Sequence, residues 1–201
     1  HRKNQSNTDM AIAPIINGDP LFSLPAAAKF IPTNTELVQH YLYNYVHGHM
    51  TPEQCYPVQE SDLYGNKEPW ELWKDHQVWS HRKPDEAAYL FTKLKKKSKN
   101  AKYFERRIGN CGGSWHGEDS ENEFVKFRGG DGLMWAGKKR KFKYENKKSE
   151  AEHGKWLLSE FRVENVESKS SFETAICKLK INGSPFVEKE LGKMMNRKRK
   201  L

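Results

Sequence analysis

The sequence predicts an α+β fold: a twisted, mostly antiparallel β-sheet packed between a few helices. Three observations predict it. One stretch in the first third carries a strong amphipathic-helix pattern. From residue 87 onward the texture changes to short runs with strand-like alternation, separated by glycine-rich turns. At 201 residues, with 12% aromatic content and six Trp, the chain is long enough to bury a substantial core. The formal net charge is +9, so the natural partner is a polyanion, with nucleic acid first and an acidic membrane surface as its competitor. No apolar run approaches the roughly 18 residues of a spanning helix, and no signal-peptide pattern is present, so no membrane partner is expected. Cys55, Cys111 and Cys177 lie far apart without a CxxC pair, which fits a reducing compartment with neither a disulfide framework nor a cysteine-based zinc site.

Residues 1–20 read as a mobile N-terminal segment, polar and basic at first and then apolar through Ala11 to Ile16. A single domain is expected over residues 21–181. Within it, Pro32 precedes a capping box, Thr33 with Glu36 three residues on. Leu37, Val38, Tyr41, Leu42, Tyr45 and Val46 then repeat at four-residue spacing, and His47-Gly48-His49 ends the helix. Asp62-Leu63-Tyr64 reads as a turn. Pro69 opens a short helix whose Trp70 and Trp73 are expected in the core. Strands follow at Ala88–Thr92, Glu123–Arg128, Lys141–Tyr144, Lys155–Val163 and Thr174–Leu179, with Gly129-Gly130-Asp131-Gly132 as a turn. Residues 182–201 form a basic C-terminal tail, suited to a nuclear address or a loose phosphate contact.

Residues 103–119 carry the candidate chemistry. Arg106 and Arg107 lead into Gly109, Gly112 and Gly113, and then into Trp115 and His116. Glycine lets a backbone approach another surface closely, arginine offers a fork of donors for phosphate or guanine, and an exposed aromatic beside them marks recognition. The same residues also fit a glycine-rich loop before an edge strand with a core tryptophan. The basic stretch from Lys93 to Arg107 runs directly into this segment.

Catalytic readings find no foothold. Glu118, Asp119, Glu121 and Glu123 lack the convergence a two-metal nuclease needs, and His40, His47, His49 and Cys55 match no zinc spacing. There is no phosphate loop, nucleophile elbow or dinucleotide fingerprint. No enzyme activity, cofactor or metal is expected.

Several segments in order resemble the NAC domain of plant transcription factors: Leu24-Pro25, Lys29-Phe30-Ile31-Pro32-Thr33-Asn34-Thr35-Glu36-Leu37-Val38, Tyr41-Leu42, Asp62-Leu63-Tyr64, Pro69-Trp70-Glu71-Leu72 and Tyr89-Leu90-Phe91. The resemblance resumes at Gly137-Lys138-Lys139, Phe142-Lys143-Tyr144, Lys155–Arg162 and Ile176-Cys177-Lys178. It implies a nuclear, sequence-specific domain that binds double-stranded DNA, dimerises with itself or with related NAC proteins, and inserts a β-strand edge into the major groove. Trp115-His116-Gly117 stands where the family's strand carries Trp-Lys-Ala-Thr-Gly; the lysine is His116, and the Ala-Thr step is missing.

By that resemblance Arg106 or Arg107 matches the family's arginine, the register leaving both open. Lys95, Lys96, Lys97, Lys138, Lys139, Arg140, Lys147 and Lys148 are candidate phosphate contacts. Lys138-Lys139-Arg140-Lys141 also suits nuclear import. For the dimer, Lys29 and Glu36 occupy the positions of an inter-subunit arginine–glutamate pair, beside Leu21, Phe22 and Leu24. Glu36 is also the capping-box partner of Thr33. An alternative is a basic interaction module of the same fold that binds protein partners or RNA, with little sequence-specific reading of DNA.

Overall fold

Thr33 starts the first helix as its spacing from Glu36 requires. Its hydroxyl accepts from the Glu36 amide at 3.1 Å, while Glu36 Oε2 accepts from the Thr33 amide at 2.7 Å and from its hydroxyl at 2.8 Å. Helix α1 then runs as α-helix over Asn34–Glu36, as a π-type turn over Leu37–Leu42, and as α-helix again over Tyr43–Val46. The structure, a computed structural model, describes residues 30–80, 87–96, 98, 104–109 and 112–183, with side chains in the second helix as far as His76. The π-type turn alters the buried face that four-residue spacing predicts. Residues five apart stack, so Leu37, Val38, Leu42 and Tyr43 are buried while Tyr41, Tyr45 and Val46 are only half-buried. His47 caps the helix and Gly48, at φ 70°, turns the chain away.

Helix α2, Pro69–Ser80, begins on its proline and buries Leu72 and Trp73, with Trp70 half-buried against the same core. Among the described residues no helix is long and apolar enough to cross a membrane.

Among the described residues eight strands form one curled sheet: β1 (Gln59–Glu60), β2 (Ala88–Lys93), β3 (Arg107–Ile108), β4 (Gly113–Gly117), β5 (Asn122–Arg128), β6 (Met134–Glu145), β7 (Trp156–Asn165) and β8 (Thr174–Ile181). Their order is β1-β2-β8-β7-β6-β4-β3, with β5 also on β6, and every pair is antiparallel except β1 with β2. The α+β expectation of a twisted sheet packed with helices is met.

Strand β6 is longer than the alternation at Lys141–Tyr144 suggests, because Trp135-Ala136-Gly137 hides its first half. A Cβ on Gly137 would lie 2.6 Å from Val125 and 3.2 Å from Val38, so glycine is what lets α1 and β5 settle on this strand. β5 pairs with the first part of β6, from Met134 to Lys139, and β4 with its last part, from Phe142 to Glu145. The two strands thus lie end to end, and residues 118–121 cross between them.

Each sheet face has its own core. On one, Phe142, Tyr144, Trp115, Leu158, Cys177, Leu179 and Leu90 meet Leu72 and Trp73 of α2. On the other, Trp135, Phe161, Val163, Ile176, Tyr89 and Phe91 meet Leu37, Val38, Leu42 and Tyr43 of α1. Strand alternation dictates which face each β-residue serves, and this decides the fate of the candidate site.

Candidate nucleic-acid interface

The glycine cluster before Trp115 makes the hairpin between β3 and β4. Gly109 and Gly112 take φ of 38° and 84°, and a Cβ on Gly113 would lie 2.4 Å from the Tyr144 hydroxyl. The close approach these glycines allow at Gly113 is therefore to the protein's own core. That corrects the expectation of a backbone pressed against another surface.

Arg107 pairs with Ser114 and His116 with Lys143, and cross-strand partners share a face. Their neighbours point the other way. Trp115 is 2% exposed and packs edge-on against Tyr144 at 5.6 Å, so the exposed aromatic expected here is a core residue. Arg106 likewise turns inward. Its guanidinium bonds both carboxylate oxygens of the buried Glu160, Nη2 reaching Oε1 at 2.9 Å, and also contacts the Tyr64 hydroxyl. Tyr64 in turn donates to Glu160 Oε2 at 2.8 Å. Burial works against the Arg106 charge, but the hydrogen bonds to the Glu160 carboxylate and its negative charge outweigh it and raise the pKa. Of the two arginines the sequence left open, Arg106 locks the core and Arg107 stands outside it.

Arg107 is 78% exposed, its only described ion pair being with Glu105, Nε to Oε1 at 3.3 Å. Hydrogen bonds from the Arg107 side chain and backbone hold the Glu105 carboxyl down at about 2. His116 is 55% exposed, with Nε2 at 2.8 Å from Ser114 Oγ and 3.6 Å from Glu145. Lys148 lies over the hairpin, its Cδ 3.2 Å from where a Gly112 Cβ would stand, and Lys147 beside it is exposed. Arg107, Ser114 and His116 therefore share one face at the β3–β4 corner of the sheet, with Lys148 over the hairpin; the free tip of β4 is His116-Gly117, whose outer edge pairs with no strand among the described residues.

The remaining candidates scatter. Lys95 pairs with Asp62 at 2.5 Å; Lys96 is exposed; Lys97 lies outside the described residues. Lys138 points to the α2 side of the sheet, bound to Glu164 at 2.7 Å and near Glu121 at 3.9 Å, so it is not the free phosphate contact expected of it. Arg140 shares that side, its guanidinium over Phe142 and its Nε donating to the Asp119 carbonyl at 3.2 Å. Lys139 is on the α1 side, over the Phe161 ring.

The acidic stretch is likewise dispersed. Glu121 accepts from Arg162 Nε at 2.9 Å, Asp119 accepts from the Lys141 amide at 2.8 Å, and Glu123 pairs with Lys126 at 3.2 Å. Among the described residues no three His, Cys, Asp or Glu side chains gather as a metal site would need. Cys55 is buried, and that burial pushes its thiol up to about 11. Of the dimer candidates, Leu21, Phe22, Leu24 and Lys29 lie outside the described residues. Glu36 is exposed, and its cap bonds both fall on Oε2; they hold its carboxyl below the usual range.

Lys139, Lys141 and Lys143 of β6 and Lys178 and Lys180 of β8 share the α1 side of the sheet, at every second position of runs already read as strands. A comparison with curated proteins finds no match. A family model, No apical meristem (NAM) protein, matches residues 25–163. With a sheet of the expected architecture and a family match over most of its length, the chain belongs to the No apical meristem family, the NAC domain of plant transcription factors.

Proposed function

We propose that this domain binds double-stranded DNA as a dimer in the nucleus, reading base edges with the free tip of β4 in the major groove. The observation that carries the reading is the corner where Arg107 and His116 leave the sheet on one face. Arg107 supplies the donor fork that suits guanine N7 and O6, and His116 can donate to or accept from a base edge. Lys147 and Lys148 stand beside them for phosphates; Arg140, its guanidinium against Gly117 at the end of β4, is a further phosphate candidate, as are Lys95, Lys96 and Lys139. Arg106 and Trp115 serve the domain by fixing β3 and β4 in place; they do not touch DNA.

The RNA-binding form of the interaction-module alternative would stack single-stranded bases on exposed aromatics, and a buried Trp115 does not supply one. Dimerisation rests on family membership, with Glu36 Oε2 held by the cap and Lys29 its expected partner across the two-fold axis.

The test is competition binding of an Arg107→Glu/His116→Glu variant, with folding checked by circular dichroism and dimer state by sedimentation. Preference for a selected duplex over bulk DNA is expected to disappear while the fold remains. Preserved preference in a folded variant contradicts the reading.

A further inference from the structure

His116 carries its chemistry on a well-anchored strand. Trp115 beside it is buried against Tyr144, and β4 is paired with β6 from Ser114 to Gly117. Ser114 stands two residues before His116 and so shares its face, opposite Glu145 of β6. Both reach the same atom of the imidazole. His116 Nε2 lies 2.8 Å from Ser114 Oγ and 3.6 Å from Glu145 Oε2. Among the described residues no group bonds Nδ1, and the side chain is 55% exposed.

A neutral imidazole carries one proton, and its surroundings decide which nitrogen holds it. A carboxylate only accepts, whereas a serine hydroxyl donates or accepts. A proton on Nε2 therefore satisfies both neighbours, since Ser114 Oγ accepts it in a hydrogen bond and the Glu145 charge attracts it. The other tautomer would turn the Nε2 lone pair toward the carboxylate. With Nε2 protonated, Nδ1 is an acceptor. In the major groove the donors are the amino groups of cytosine and adenine, while guanine N7 and O6 and thymine O4 accept. A lysine in the same place would offer donors alone and turn to those acceptors.

We propose that Ser114 and Glu145 are positioning residues that fix His116 as an acceptor at Nδ1, so that the β4 tip takes the amino group of a cytosine or an adenine at this point. The inference rests on the duplex-binding reading above; it adds which base-edge group His116 selects and which residues set the choice.

Two measurements test it, both at about pH 8 so that the neutral ring is observed. Long-range proton–nitrogen NMR of the free protein, with the signal assigned by its loss in His116→Ala, is expected to show the His116 proton on Nε2. A proton on Nδ1 overturns the proposal. For the second, a duplex selection locates the base pair that His116→Ala relaxes, and its cytosine or adenine is replaced by the analogue lacking the amino group. This deletion is expected to weaken the parent about fivefold more than it weakens His116→Ala, the low end for one base contact. Glu145→Gln, whose amide serves either tautomer, is expected to shrink that coupling while preference at other positions is kept. Coupling of His116 to purine N7 instead of the amino group, or coupling undiminished in Glu145→Gln, overturns the proposal. Ser114→Ala replaces Glu145→Gln, with the same expectation, if the latter does not fold. A parent that enriches no motif overturns the base preference along with the strand-tip reading, and the tautomer seen in the free protein then shows whether the geometry failed or only the DNA reading.

Discussion

Arg106 and Glu160 form a two-pronged ion pair inside the sheet, the arginine 17% and the glutamate 2% exposed, with the Tyr64 hydroxyl closing the triangle. The pair ties the approach to β3 to the middle of β7, two elements far apart in sequence. It also explains why adjacent arginines have opposite roles, since alternation allows only one of them to point inward.

Removing one partner leaves the other charge buried and unpaired. Arg106→Leu is therefore expected to lower unfolding free energy by about 3–5 kcal/mol, measured by urea denaturation. Glu160→Gln is expected to destabilise as well. A double-mutant cycle of the two should show strong coupling, whereas additive losses would mean that the pair is not a unit.

Arg107→Ala separates binding from stability. Its side chain is 78% exposed and its described pairing with Glu105 is screened by water, so stability should change by about 1 kcal/mol or less. Duplex affinity should weaken by about 1–3 kcal/mol, read by fluorescence anisotropy. A joint charge reversal of Arg106 and Arg107 cannot make this distinction, because the first change attacks the core.

The helix start and most strands were legible because they depend on local chemistry: Thr33 with Glu36, Pro69 at a first turn, alternation in Glu123–Arg128 and Trp156–Val163. The candidate site was legible only as a segment. Whether Arg106 or Arg107 faces outward depends on the pairing of Arg107 with Ser114, a tertiary fact that no spacing along the chain reveals. Which of the two readings of Trp115 holds, exposed recognition or core, turns on the same pairing, and the core reading is the one realised. The π-type turn at Leu37–Leu42, which packs in one core with Phe161 and Ile176, was not legible because its residues carry a good α-helical pattern by themselves.

Acid should expose the role of Glu105. Its folded pKa of about 2 lies below the roughly 4.3 of a free glutamate, so its stabilising contribution is present above pH 4.3 and is lost as pH falls toward 2. In paired denaturation curves the stability advantage of the parent over Glu105→Gln should shrink across that window. An advantage constant from pH 5 to pH 2 would show that the carboxylate is not held by Arg107.

Thr33→Ala deletes the side-chain half of the capping box and should cost about 1 kcal/mol. It also frees Glu36 from the hydroxyl bond. If the cap competes with an inter-subunit pair, sedimentation should show a dimer as tight as the parent's or tighter despite the lower stability. A weaker dimer would mean that the cap positions Glu36 for its partner.

The most direct measurement is a binding selection from random duplex DNA at physiological salt, run with the parent and with His116→Ala. The account predicts a short enriched motif in the parent, strongest as two spaced half-sites, and relaxed preference at one position of each half-site in the variant. Steeply salt-dependent binding with no enriched motif, or a motif untouched by His116→Ala and Arg107→Ala alike, would contradict base reading by the β4 tip.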